Sequence, residues 1–474
     1  MIPCLIPSLA LAQSINTGVA KTMAEPYQLS LAESANLIAW GELTPLDLVK
    51  SLLGRIDALE PSLKAWVYLD REAVLAEAKA KTLEIQAAHH PIGPLQGVPV
   101  GLKDIYYTAG VPTTACSKLY ADFVPEYDAT TVALLRNAGA IMLGKTVTTE
   151  FACLDPSPTI NPWNPAHTPG GSSSGSAVAV AVGMCAAALG SQTVGSVLRP
   201  ASYNGVVGFK PTYGRVSRYG IIPVSWSLDT AGWMTRSVED AALLLNVMAG
   251  PDPRDPVALG IPVQDYVSVP EALPPPRIGV LGGYFQDNAD AETQAHTRSV
   301  VDIFSQAGAE IVEMVLPESI ETASEDQRMI MAVEGAAFHE QMFRTRSEEY
   351  QPLLREMLRW GLEVESAAYS RALERRLRFT ADMSSAAAQV DVLLTPSTPT
   401  PALADITNTG NSMFQGPWTS CGVPAISIPS GLSANDMPFG IQLASSHFQE
   451  SLLLLAARWC ESVLDVSLSP PVDN

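Results

Sequence analysis

Three stretches of this sequence carry side chains suited to chemistry. Lys103 closes an apolar run at 98–105 (VPVGLKDI), hydroxyls crowd 170–176 (GGSSSGS), and Ser196 lies in 190–200 (GSQTVGSVLRP). A serine hydroxyl is a poor nucleophile at neutral pH and needs a base in contact. Lysine can be that base only as the free amine, so burial or nearby positive charge must lower its pKa. A lysine at the end of a VPVGLK strand is set up for burial. Asp104 would oppose the shift if it stood close, so its carboxylate is expected to point elsewhere. Singly, none of these pieces is decisive, since a hydroxyl-rich loop is usually only a loop and a lone lysine usually a solvated surface charge.

The elements around them must hold these loops. Apolar spacing predicts helices between Leu29 and Leu59, broken at Gly41, with Thr44 capping the second. A strand is expected at 65–69, an Ala-rich helix at 72–88, a helix at 129–138 and a strand at 140–143. Residues 176–189, small and apolar, read as one buried helix. Strands are expected near 205–210 and 278–281, with a helix at 237–248. The stretch 285–385 reads as helical and richer in charge and Met, a variable or cap region. Strands return at 391–395, 425–429 and 439–443, before a final helix near 448–464. Alternating strands and helices are the α/β pattern. Length alone would suggest about three domains, but the sequence has no short repeat and no long polar linker. We therefore expect a single large domain, 27–474, with a central mixed β-sheet covered by helices on both faces.

Two motifs point to other chemistries. Gly139-Ala-Ile-Met-Leu-Gly144-Lys145-Thr146 fits the phosphate-loop pattern. That motif needs a strand before its first glycine and a flexible loop between the two; here a helix precedes it and AIML is itself strand-like. Gly171-Ser172-Ser173-Ser174-Gly175 fits G-x-S-x-G with Ser173 central, the elbow of α/β-hydrolase esterases, which must follow directly on a strand. The preceding 164–169 contains two prolines, which a central strand excludes. His447 is the only candidate triad histidine near a strand end.

In this order and spacing, the segments 98–105, 170–176, 190–200, 205–220 (GVVGFKPTYGRVSRYG) and 227–232 (SLDTAG) resemble the amidase signature family. The resemblance spans about residues 27–465. It is tightest over 95–236 and weakest over 255–385, and 391–402 and 421–429 share it. It implies a Ser–cisSer–Lys hydrolase: Ser196 as nucleophile, Ser172 in cis peptide linkage as proton relay, and Lys103 as base. It further implies an oxyanion hole from the backbone N–H groups of Thr193, Val194, Gly195 and Ser196, with the Ser173 hydroxyl supporting the site and Thr193 as a second such hydroxyl. The chain departs from the family at Val194, where Gly is frequent, and at Gln192, where Asp is frequent. Candidate substrate contacts are Tyr127, Glu150-Phe151-Ala152, Trp226, Phe414 and Trp418. Leu198 stands where many relatives carry a charge, and aromatics outnumber cations in these loops. The expected substrate is a neutral, partly apolar amide or carbamate, aryl-substituted ones included, with esters within reach of the same machinery. The alternatives are an ammonia-delivering amidotransferase subunit for aminoacyl-tRNA, and an esterase using Ser173.

Composition narrows the partners. The 474 residues are 47% hydrophobic and only 16% charged, enough for a large core, with a net charge of −20. So acidic a surface repels nucleic acid and anionic membranes. Six scattered cysteines without C-x-x-C or zinc-finger spacing predict reduced, mostly buried thiols and no metal site; no cofactor is expected. Residues 2–12 are apolar and end in Ala10-Leu11-Ala12, but lack the basic start of a signal peptide, and Met23 is an alternative start. The expected location is the cytoplasm, with secretion as the alternative, and the expected state a monomer or homodimer.

Overall fold

The computed structural model describes residues 25–88, 92–258, 260–270 and 272–472. The possible signal segment, Met23 and Cys4 lie outside them. The strands are β1 (Trp66–Tyr68), β2 (Pro99–Lys103), β3 (Ile141–Thr146), β4 (Ala187–Gln192), β5 (Val207–Lys210), β6 (Thr230–Thr235), β7 (Arg277–Leu281), β8 (Glu310–Met314), β9 (Val392–Pro396), β10 (Ala425–Leu432) and β11 (Pro438–Ala444). They join one mixed 11-stranded sheet in the order β1-β3-β2-β4-β6-β5-β10-β11-β9-β7-β8. Helices lie on both faces, as expected for an α/β fold of this kind.

Local signals set many boundaries. Ser30 caps the helix Leu31–Ala39 in a reciprocal box with Glu33, and Thr44 caps Pro45–Leu63 by accepting from the Asp47 N–H at 3.1 Å, each satisfying an otherwise orphaned donor. Strand alternation then sorts side chains between two cores. Val100, Leu102, Met142, Ala187 and Leu189 pack on one face with the helix Val238–Met248. Ile141, Leu143, Ala188 and Met234 pack on the other with the helix Ser174–Ala181.

Three expectations are corrected. The run 176–189 is not one helix: Ser174–Ala181 ends before Gly183, whose φ is +79°, and the chain resumes as β4. A continuous small apolar run carries no period that separates a buried helix from a buried strand. The stretch 227–232, read only as a motif, leads into β6, which pairs with both β4 and β5. The region 285–385 is mostly helical but includes β8, whose parallel pairing with β7 makes it the sheet's last strand. Among the described residues, no helix is long and apolar enough to cross a membrane, and no group of His, Cys, Asp and Glu is arranged to hold a metal ion.

Candidate active site

β2 and β4 run parallel and paired, ending at Lys103 and Gln192. The carboxyl ends of parallel strands are where α/β sheets present ligand sites. Lys103 is fully buried. Its Nζ donates to Ser172 Oγ at 2.7 Å and to Ser191 Oγ at 2.9 Å. Burial lowers the amine to about 7, opposed by the negative charge of Asp229 and the neighbouring Cys153 and Cys116. The Gly171–Ser172 peptide is cis.

Asp104 turns away from Lys103, as alternation along a strand requires. Its carboxylate accepts from the Thr114 N–H at 3.0 Å and lies 3.5 Å from Lys145 Nζ. Lys145 also donates to the Tyr106 carbonyl and to Thr113 Oγ1. It belongs to the phosphate-loop pattern, whose middle residues form β3 instead of a loop.

Ser196 is partly exposed on the turn after β4. The two serine loops abut, the Ser173 N–H donating to the Ser196 carbonyl at 3.3 Å. Every carbonyl of the turn 193–196 is held. Gln327 Nε2 donates to Thr193 O at 3.0 Å, Thr419 Oγ1 to Val194 O at 2.8 Å and the Arg199 N–H to Gly195 O at 3.0 Å. In a trans peptide the N–H points opposite to the preceding C=O. Anchoring the carbonyls of Thr193, Val194 and Gly195 thereby aims the N–H groups of Val194, Gly195 and Ser196 the other way. Gly195 leaves no room for a side chain, since a Cβ there would stand 2.7 Å from Gln415 Oε1.

Gln192 explains its own departure from the family. Its Oε1 accepts from the N–H groups of Val197 and Leu198 at 2.9 and 3.0 Å, capping the helix Leu198–Asn204, while its Nε2 donates to Thr419 Oγ1. A carboxylate could do the first but could not donate to Thr419. Buried Arg199 donates to Gly171 O at 2.7 Å and Gly410 O at 2.6 Å, fixing the loop before Ser172. Ser173 is buried, with its Oγ accepting from the Ser191 N–H at 3.3 Å. No strand runs directly into Ser173. The His447 ring nitrogens face Ser384 Oγ and the Cys421 carbonyl, which removes the support for an esterase elbow. Thr193 Oγ1 donates to Asp229 at 2.6 Å, and Asp229 also accepts from the N–H groups of Val224 and Ser225.

The expected substrate contacts divide. Trp226 is half exposed and lines a cavity of about 210 Å³ shared with Ser191, Asp229, Ile222, Val224 and Arg218. Tyr127 stacks on Tyr219, a further lining residue, with ring centroids 5.3 Å apart. Phe414 and Trp418 are corrected: both are fully buried, packed on Phe285 at 5.1 and 5.7 Å in an apolar cluster that also takes Leu198. Phe151 is likewise buried, against Tyr120 and His339. Glu150 braces the helix region by accepting from Ser117 Oγ and the Gln351 N–H, and Ala152 is buried beside it. An aromatic in a short loop has the same sequence signature whether it packs inward or lines a pocket. Ser191, Asp229, Arg199, Gln327 and Thr419 escape a reading of the sequence. Ser191 and Arg199 lie inside the quoted 190–200 segment and Asp229 inside 227–232; nothing in the sequence marks Gln327 or Thr419.

The sequence matches the Amidase family over residues 47–454. It is 38% identical over 451 residues to "Putative amidase AmiD" of Mycobacterium tuberculosis, covering 92% of this chain and 94% of that one. It is 36% identical over 479 residues to a glutamyl-tRNA(Gln) amidotransferase subunit of Chloroflexus aggregans, covering 94% and 98%. The native peptide amidase of Stenotrophomonas maltophilia superposes with a TM-score of 0.83 at 32% identity, over 94% of this chain and 99% of that one. The chain belongs to the amidase family and is a hydrolase of that family.

Proposed function

We infer that this enzyme hydrolyses the C–N bond of a neutral, partly apolar amide or carbamate through an acyl-enzyme on Ser196. The observation that carries the reading is the buried Lys103 amine 2.7 Å from Ser172 Oγ. An amine held near pKa 7 by burial is about half free base at neutral pH, against a negligible fraction for an ordinary lysine, and the free base is what a general base requires. Lys103 takes the Ser172 proton as Ser172 takes that of Ser196, a hydroxyl serving as donor and acceptor at once. Ser196 Oγ attacks the carbonyl carbon. The N–H groups of the 194–196 turn receive the developing oxyanion, each donor being worth about 3 kcal/mol in the transition state. The proton returns through Ser172 to the leaving nitrogen. Water then attacks the acyl-enzyme by the same relay, releasing the acid and restoring Ser196.

The test is Ser196→Ala and Lys103→Ala against a panel of aryl amides, aryl carbamates and charged diamides. Loss of turnover in both variants is expected, with uncharged substrates preferred in the native enzyme. Preference for a substrate bearing a free carboxylate overturns the substrate class. The 36% identity to an amidotransferase subunit favours one second reading, an ammonia-delivering subunit. Size-exclusion of the chain alone, with activity on simple amides, separates the two: an amidotransferase subunit would be inactive until its partner and tRNA are added.

A further inference from the structure

The cavity walled in part by Ser191 has a definite chemistry. Ser191, which accepts a hydrogen bond from Lys103, forms part of its wall. So does Asp229, whose carboxylate is already taken by Thr193 Oγ1 and two backbone N–H groups. Ser191 thus links the cavity wall to the Lys103 amine, and Asp229 links it to the Thr193 hydroxyl at the start of the Ser196 turn. Its apolar wall is the run Ile221, Ile222, Pro223 and Val224, and Trp226 and Tyr219 are its aromatic members.

Both cations that line it are held by carboxylates. Arg218 pairs with Asp255 at 3.1 Å and donates to the Trp226 carbonyl. Arg254 pairs with Asp252 at 3.0 Å and lies over the Tyr219 ring, 4.5 Å from its centroid. An incoming carboxylate would have to compete with an ion pair already formed and would stand near Asp229 and Asp255. An uncharged apolar group meets no such cost. A hydrophobic cavity of about 150 Å³ in another protein accommodates benzene, so about 210 Å³ is room enough for one ring with its substituent.

Resting on the amidase reading above, we propose that this cavity is the specificity subsite for a single uncharged aromatic ring of the substrate. Trp226 and Ile222 supply the contact, and the Arg218–Asp255 pair rejects carboxylates. The ring can sit on the amine side, as in an anilide, or on the acyl side, as in a benzamide; the two arms of the test distinguish them.

The experiment measures kcat/KM for acetanilide, benzamide, the 4-carboxylate of each and propionamide. One ring arm is expected to exceed propionamide at least tenfold, and its carboxylate counterpart to fall at least tenfold below it. Trp226→Ala, a change at a half-exposed side chain, should raise KM for that ring at least fivefold. Asp255→Asn removes the carboxylate that holds Arg218 and should raise the ratio of kcat/KM for the carboxylate to that for the uncharged ring at least fivefold, through KM for the carboxylate. A shift of either ratio in either variant supports the subsite. Ratios unchanged in both variants overturn it and, where Ser196→Ala has no turnover, leave the amidase reading intact. Turnover surviving in Ser196→Ala overturns that reading itself.

Discussion

Two buried lysines on neighbouring strands differ in how well their surroundings suit the role of a base. Lys103 on β2 and Lys145 on β3 are 0% and 1% exposed, and burial lowers them to about 7 and about 8. They sit on opposite faces of the sheet. Lys145 pairs across the strands with Leu102, and Lys103 with Thr146, and paired positions share a face. On its face Lys145 meets the Asp104 carboxylate, a backbone carbonyl and the Thr113 hydroxyl, groups that stabilise an ammonium. On the other face Lys103 donates to two hydroxyls. Hydroxyls can accept from an ammonium or donate to a free amine, so they tolerate either state. Desolvation is common to both residues; the partners decide which one can act as a base.

This contrast can be broken most forcefully by deleting each amine. Lys103→Met should lower kcat/KM by about a thousandfold or more, within the range lost with a general base, while leaving the unfolding midpoint at or above that of the native protein, because a group costly to bury has been removed. Lys145→Met should do the reverse. Stripping one partner from a buried pair costs about 3–5 kcal/mol, read as a lower denaturation midpoint, and adding Asp104→Asn should recover part of it. Equal stability losses in the two variants would erase the distinction.

The pH dependence sharpens it. In the proposed mechanism Lys103 acts as the free amine, so kcat/KM should fall on acidification with a midpoint near 7, about tenfold per pH unit well below it. In the unfolded chain the same amine holds its proton up to about 10.5. Between about 10.5 and about 7 the folded state therefore binds fewer protons, and stability declines as pH falls through that window. Lys103→Met should remove both the acid limb and that contribution to the stability slope; a slope unchanged in this variant would place the titration elsewhere. The smallest effect concerns the turn that carries Ser196. Gln192→Ala should cost about 1 kcal/mol, typical of a lost helix cap, measured by thermal unfolding, and should lower kcat more than KM as the turn loosens.

The β2–β3 pair also marks where sequence reading stops. Lys103 stands out in the sequence because a strand pattern ends on it. Lys145 draws notice only as the last part of a phosphate-loop pattern. Leu143 and Lys145 differ by two and should share a face, yet the register of β2 against β3 shifts between Val100 and Gly101. Such an extra residue reverses the facing of everything after it, and no local spacing announces it. Phe414 and Trp418 mislead for a related reason: as loop aromatics they read as pocket walls, and the packing of Phe285 upon them is invisible 130 residues upstream.

The sequence by itself determined the α/β alternation, the helix caps at Ser30 and Thr44, the family, and the three segments that carry Lys103, Ser172 and Ser196. These depend on periodicity, local capping and linear motif order, all written in neighbouring residues. Only the tertiary structure decided which hydroxyls meet the buried amine, that Asp104 is drawn off by Lys145, and that Gln327 and Thr419 hold the carbonyls of the Ser196 turn. Those partners lie up to 225 residues away along the chain. A hydrogen bond depends on distance and angle in space, so a partner that remote leaves no trace in local spacing.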